Sequence, residues 1–363
     1  MPRLQPSLLP TGIGSLPHTD ISSAIELMLK TTPEIPFCPQ FPKMGFSENM
    51  YAQFAYDLPG AVIDEGKGKI YIDTSSDCAA STEELYKNHL ENRVESFAID
   101  KSHLSGLYAI RESRQRFKPA AVKGELTGPV SLGLSIADEA GKPILYNDNY
   151  MEIVTKSLAM KAKWLEKSLK EISPVTIISV DEPYLGQLGS AYINIDRGKA
   201  SAMLSEVFSA MGGIKGVHCC SNTDWEFLLK LGIDVVFFDA YKDAKTLLIY
   251  PSEIKEYIEG GGMISWGIVP NDGNSIKGET VQSLAEKMER NFQSLTVKGV
   301  DMQKLLRQSL LSTSCGLGSC ENAVEAEGMM EVLRTLSMTL RRRFGIESER
   351  EEKGADNTMR RLL

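Results

Sequence analysis

Eight short β-favouring runs alternate with helical patterns along this chain, and that alternation constrains the fold more than any other feature. The runs are LLPTGIGSL (8–16), EIPFCPQF (34–41), AAVKGELTG (120–128), VTIISVDEP (175–183), IKGVHCCS (214–221), DVVFFDAY (234–241), MISWGIVP (263–270) and SLLSTSCG (309–316). Parallel strands need a long crossover between them, usually a helix, so strand–helix alternation is the mark of a parallel α/β fold. Between the runs, apolar residues recur at helical spacing. Helices are expected over 21–29 behind Thr19 or Asp20 as cap, and over 149–172 with Met160 and Trp164 on one face. Others are expected over 202–211, stopped by Gly212 and Gly213, over 224–231 after Asn222 and Thr223, and over 251–258 behind Pro251. The pattern closes with helices over 281–295 and 323–344. Eight such units predict a (β/α)8 TIM barrel, which typically takes about 250 residues. A doubly wound open sheet would place a glycine-rich dinucleotide turn after the first strand. GIGSLP is too short for that turn and ends in Pro.

At 363 residues the chain exceeds a minimal barrel, and the excess is concentrated. The barrel is expected over 1–346, with an insertion over 42–118 after the second strand and a polar, charged tail over 347–363. The insertion carries a short strand in KIYIDTS and a helical stretch from Ser81 to about Arg116. It is expected to stand over the C-terminal mouth as a lid or wall.

Composition narrows the function classes. Apolar residues make up 42% and charged residues 24%, enough for a full core and too apolar for disorder. No apolar run approaches the ~18–20 residues of a membrane helix, and the first residues lack the apolar stretch of a secretory signal. A cytoplasmic protein with no membrane partner is therefore expected. The net charge of −8 argues against a nucleic-acid partner, which would need a concentrated basic surface. The six Cys are few and irregularly placed, which excludes a disulfide scaffold.

Chemistry concentrates at the ends of the later runs. In GVHCCSN, side chains alternate faces along the strand, so His218 and Cys220 share one face and Cys219 takes the other. A His and a thiolate one residue apart are a ready pair of zinc ligands; the alternative is that all three are core residues. Cys315 closes the eighth run and opens on the same rim of a barrel, where it can be a third ligand. Cys320, farther into the loop, reads as an inert thiol. Asp239 ends the sixth run beside the fifth and can complete the metal shell, orient His218 or cap a helix. Asp181 and Glu182 end the fourth run and suit a substrate amino group, or else form a solvated turn. Ser15, in GSLP, can donate to a carboxylate.

Taken in order, IGSLP, LTGPVSL, DEP, the His-x-Cys pair, the acid of FFDAY and the SCGLG turn resemble the catalytic half of cobalamin-independent methionine synthase. That family sits in the superfamily of uroporphyrinogen decarboxylase and the zinc methyltransferases of methanogens. The resemblance runs from about residue 8 to 345. It implies Zn²⁺ as cofactor, with His218, Cys220 and Cys315 as ligands. Asp239 stands where the family has a zinc-binding Glu. Asp181 matches the acid that holds the amino group of homocysteine, Ser15 matches a contact to its carboxylate, and Glu48, in GFSENM, stands for a second acid near the amino group. Asp181 and Asp239 are the implied catalytic acids.

Three departures bear on the methyl donor. The chain has no room for the family's folate-holding N-terminal half. The Trp after the GPV motif is missing from GPVSLGLSIAD, and the His after strand seven is missing from GIVPNDGNS, whose only acid is Asp272. A folate nitrogen leaves poorly until protonated, whereas Co(I) leaves without a proton. The donor implied is a methylcorrinoid, free or on a partner protein, and the acceptor thiol is homocysteine. The rival classes are a metal-free decarboxylase like uroporphyrinogen decarboxylase, which has no need of the His and two Cys together, and a non-catalytic protein that binds zinc or a thiol metabolite.

Overall fold

The computed structural model describes residues 4–187 and 196–346; the tail expected over 347–363 lies outside the described residues. Among the described residues, nine strands fall into two sheets. In the 42–118 segment, β1 (Ala61–Asp64) pairs antiparallel with β2 (Lys69–Ile72). The main sheet begins with β3 (Val122–Thr127), and β4 (Ala137–Asp138) returns to pair in parallel with β2. The main sheet continues through β5 (Thr176–Asp181), β6 (Ile214–Cys219), β7 (Val235–Phe238), β8 (Met263–Val269) and β9 (Ser309–Thr313). Its spatial order is β3-β5-β6-β7-β8-β9, every pair is parallel, and the sheet curls as a half-barrel.

The first two runs differ from expectation. They make single parallel bridges, Pro10 to Leu311, Phe37 to Lys123 and Ser15 to Gln40, instead of ladders. Thr11 N–H donates to Leu311 O, Cys38 N–H to Lys123 O and Leu16 N–H to Gln40 O, at 2.8–2.9 Å. Pro10, Pro36 and Pro39 explain the gaps, because proline has no N–H to give a ladder.

Strand alternation sorts the sheet into two faces. Outward side chains such as Phe238 and Trp266 meet the helices; Phe238 packs edge-on against Trp225 at 5.5 Å and Trp266 at 5.4 Å, pairs worth about 0.5–1.5 kcal/mol each beyond their burial. A separate cluster fills the inside of the curl, with Ile13, Ile35, Ala121, Ile177, Phe237, Met263 and Leu310 from the successive segments. Two residues on from these apolar positions, the same face turns polar: Lys123 after Ala121, Ser179 after Ile177, Ser265 after Met263 and Ser312 after Leu310. Ser265 Oγ donates to Ser312 Oγ at 3.2 Å. The inner face is thus apolar at the amino ends of the strands and polar toward the carboxyl ends.

The outer helices follow the spacing read from the sequence. Ile21–Thr31 is capped by Asp20, Asp148–Leu169 buries Met160 and Trp164, and Pro251–Glu259 opens on its proline. Arg197–Ser209 begins earlier than expected, at the Asp196 cap. Trp225–Leu229 is capped by Asp224, whose carboxylate takes the Phe227 N–H, and not by Asn222 or Thr223. Val281–Val297 and Ala323–Arg343 complete the set.

The helical stretch expected from Ser81 to Arg116 is broken. Ala79–Leu90 ends just before Asn92, which takes a left-handed φ of 53°, and an irregular stretch leads to Ser105–Glu112. Gly106 lets that second helix close on the second segment, since a Cβ there would fall 1.8 Å from Pro39 O. Most of the insertion packs on the Asp148–Leu169 and Ile21–Thr31 helices. Its part near the strand ends is the stretch around Phe46–Glu48 and Ala52–Ala55, where Met50 O accepts from Thr127 Oγ1 at 2.6 Å. No described helix is long and apolar enough to cross a membrane.

Candidate functional site

Ladder register brings the first pieces of the site together. His218, near the end of β6, lies opposite Asp181, the last residue of β5. Its Nδ1 stands 3.6 Å from Asp181 Oδ1, which also accepts from Ser179 Oγ at 2.9 Å. The other ring nitrogen, Nε2, is buried and has no hydrogen-bond partner. Burial works against a charged ring, but the Asp181 carboxylate outweighs it and moves the His218 pKa upward.

Cys220 follows on the same face, and Cys315 arrives from the turn after β9. One ligand atom each of His218, Cys220 and Cys315 lies within 4.8 Å of the others. The two thiols share a hydrogen bond, which together with burial drives Cys220 upward and, against burial, draws Cys315 down. Cys219 points the other way into the outer core, where burial pushes its thiol up to about 11. An imidazole with an idle buried nitrogen beside two thiols is a donor set that suits zinc. Three protein ligands would leave a fourth position for a substrate.

The turn that carries Cys315 is held from both sides. Asn271 N–H donates to Ser314 Oγ at 3.2 Å, Ser314 Oγ donates to Asn271 Oδ1 at 2.9 Å, and Asn271 Nδ2 donates to Gly316 O at 3.3 Å. Ser15 presses on the same turn, its Oγ accepting from Gly318 N–H at 3.2 Å. Glycine at position 316 leaves room for this Ser15 rotamer, since a Cβ would lie 2.2 Å from Ser15 Oγ.

The remaining expected residues have other partners. Asp239 is buried at the end of β7 but stands outside the three-residue cluster; its Oδ1 accepts from Lys242 N–H at 2.8 Å, and burial raises its pKa. Glu48 is buried in the insertion, where Oε1 takes the Ser105 N–H at 2.9 Å and Oε2 takes Gln53 Nε2 at 3.1 Å. Glu182 turns away from Asp181. It accepts from the N–H groups of Val130 and Ser131 and from Ser131 Oγ, at the start of the helix Pro129–Ser135. Cys320 is buried with its sulfur 3.8 Å from that of Met329.

Sequence reading passed over four residues near the mouth. Lys123 and Glu125 form a buried ion pair on the inner face of β3, Nζ to Oε1 at 2.5 Å. The i, i+2 spacing in KGE was the available signal. Asn271 gave none, because its role depends on a turn formed by a distant segment. Tyr51, half-buried in the insertion, is near enough to Cys220 for their charges to interact.

No sequence-family model matches this chain, and no curated protein sequence matches it. Among solved structures, a candidate vitamin-B12 independent methionine synthase from Listeria monocytogenes is similar over 91% of this chain and 87% of its own, at 15% identity and a TM-score of 0.52. Looser likenesses are a methyltransferase from Methanosarcina mazei and a GH113 β-1,4-mannanase. The first matches at 14% identity, over 63% of each chain, with a TM-score of 0.40. The mannanase matches at 12% identity over 92% of this chain and 98% of its own, with a TM-score of 0.44. At these identities the likeness is one of fold.

Proposed function

We propose that this chain is a zinc-dependent methyltransferase on a closed (β/α)8 barrel, and that it moves a methyl group from a methylcorrinoid to the thiol of homocysteine to give methionine. The barrel reading is supported by the parallel bridges that tie the first segment to β9 and the second to β3. It is supported too by an inner apolar cluster to which both segments contribute. The observation that carries the chemistry is the meeting of His218, Cys220 and Cys315 with His218 Nε2 idle. The Listeria likeness, in a protein described as a vitamin-B12 independent methionine synthase, agrees with methionine as the product and lends nothing to the corrinoid donor, which rests on this chain's own residues.

His218, Cys220 and Cys315 would hold the zinc, which when bound lowers the pKa of a substrate thiol and keeps it as a nucleophile. Asp181 favours the tautomer with the proton on Nδ1, so that Nε2 keeps its lone pair for the metal. Asp181 also places negative charge where a substrate ammonium would dock, and Ser15 stands where the substrate carboxylate would meet its hydroxyl. Asp239 contributes charge at the rim beside Cys315. Glu48, with both oxygens engaged, stiffens the stretch that edges the mouth. In the transfer, a sulfur electron pair forms the S–CH₃ bond while the Co–CH₃ bond breaks and leaves its electrons on cobalt.

The donor follows from the acid available. Asp272 caps the helix Gly273–Lys277 by accepting the Ser275 N–H at 2.8 Å, and that bonding lowers its pKa. It therefore stays ionised at neutral pH and has no proton for a folate nitrogen, a loss worth ~10²–10⁴-fold where a general acid is needed. A metal-free decarboxylase reading is disfavoured because Lys123, on the inner face, is taken up by Glu125 and by Ile13 O. The test is methyl transfer to homocysteine at equal concentrations of methylcobalamin and methyltetrahydrofolate. Faster transfer from methylcobalamin is expected; faster transfer from methyltetrahydrofolate would overturn the donor assignment.

A further inference from the structure

We propose that Glu125 is a second ligand-contacting carboxylate of this site and that, with Asp181, it makes the site select thiols that carry an ammonium group. The proposal rests on the reading of the mouth as a thiol-binding site and names the feature of the thiol that is recognised.

Ladder register places Glu125 under the site. Thr127, Asp181 and His218 stand side by side across β3, β5 and β6, and Glu125 lies opposite Ser179, one inward position below. Its side chain is 1% exposed. Oε1 is bound by Lys123 Nζ, whereas Oε2 is buried and has no partner. Lys123 is otherwise committed to Ile13 O at 2.8 Å and to the face of Phe237 at 5.0 Å. A buried polar atom left unpaired costs about 1–3 kcal/mol, more when charged.

Two further observations point to a cationic ligand. The first concerns space. Position 14 has no side chain, and a Cβ there would fall 2.9 Å from Glu125 Cγ and 3.1 Å from Gln40 Oε1. Glu125 thus reaches across to the backbone just before Ser15, between the turn assigned to the substrate carboxylate and the acid assigned to its amino group. The second concerns charge. Burial and the neighbouring Asp181 together push the Glu125 carboxyl up to about 8, against the pull of Lys123. With His218 neutral, as a metal ligand must be, Glu125 and Asp181 stand near one lysine, and an ammonium would supply the positive charge that lets Glu125 release its proton. Glu48, the other acid considered for that role, has both oxygens bound within the insertion.

The experiment is calorimetric titration of the full chain with paired ligands that differ only in the amino group. Homocysteine and 4-mercaptobutanoate are used on the zinc-bound protein; methionine and 4-(methylthio)butanoate, which need no metal, are used with and without zinc. The wild type is expected to prefer the amino ligand in each pair. Glu125→Gln should cut that preference about 30-fold or more, the scale of losing one partner of a buried charged hydrogen bond. Zinc content and 4-mercaptobutanoate affinity should stay as in the wild type. The double variant Lys123→Met/Glu125→Met replaces the pair by apolar chains of similar volume, often a neutral change for stability, and should lose the preference equally if Glu125→Gln does not fold. A preference that survives in the variants would mean that Oε2 is met by water, and would overturn the assignment. Failure of the wild type to take up zinc would overturn the thiol reading alone, because the methionine pair still reports on Glu125.

Discussion

Strand parity decides which cysteine stands beside His218. Cys220 shares the inward face with His218, whereas Cys219 is 1% exposed in the outer core. Cys220→Ser and Cys315→Ser should each lower bound zinc from about one per chain to a small fraction while the fold survives, because a catalytic zinc rarely holds a large core together. Cys219→Ser should keep its zinc and lose roughly 1 kcal/mol of stability, the usual cost of a core substitution. Metal content by mass spectrometry and the denaturant midpoint separate the two outcomes; zinc lost only in Cys219→Ser would reverse the register. Asp181 bears on the ligand as well as on His218. Asp181→Asn should weaken homocysteine binding further than zinc binding, since removing one partner of a buried ion pair costs about 3–5 kcal/mol. Equal losses for both, or an unchanged homocysteine affinity, would take Asp181 out of the substrate site.

Among the elements, the short helix Pro129–Ser135 is held to the sheet by Glu182, which fills its amino-terminal N–H groups as an anion should. Position 128 must be glycine for this, since a Cβ would lie 2.2 Å from Glu182 Oε1. Burial still pushes the Glu182 carboxyl up to about 7, with the Ser131 and Val130 bonds pulling the other way. A folded pKa above the unfolded value means that the native state holds the proton longer. Stability from this group is therefore full below about pH 4.5 and is lost as pH rises through 7. At about 1.4 kcal/mol per pKa unit, the loss is roughly 3 kcal/mol. Denaturant melts at pH 5 and pH 8.5 should show the wild type weakening with pH and Glu182→Gln weakening less; parallel slopes would contradict it. The elements differ in how readily the sequence showed them. The later strands were legible because β-branched runs end in Gly or polar residues. The first two runs looked like strands by composition, but Pro10, Pro36 and Pro39 removed the donors that ladders need. The break before Asn92 depends on a left-handed residue that no periodicity marks. His218 and Cys220 were legible through parity, and Cys315 through its place at the end of the last run, which opens on the same rim. Glu125 was not, since its idle Oε2 shows only once Lys123, Gly14 and Gln40 surround it.

At the level of the whole molecule, the curled sheet separates packing from chemistry. Apolar side chains from successive segments fill the inside toward the amino ends, and ionisable ones gather toward the carboxyl ends, where loops can vary without disturbing the core. The insertion adds to this plan mainly outside the curl, on the helices, and brings only the stretch around Phe46–Ala55 toward the strand ends. The likeness to the Listeria structure spans nearly the whole chain, so the overall plan is shared while the identity of the ligand rests on this chain's own side chains. X-ray absorption at the zinc edge, recorded on the zinc-bound protein before and after homocysteine, tests the central claim most directly. Two sulfurs at about 2.3 Å and one nitrogen at about 2.0–2.1 Å are expected from the protein, rising to three sulfurs when homocysteine is added. An unchanged sulfur count on adding homocysteine, or fewer than two sulfurs from the protein itself, would contradict it.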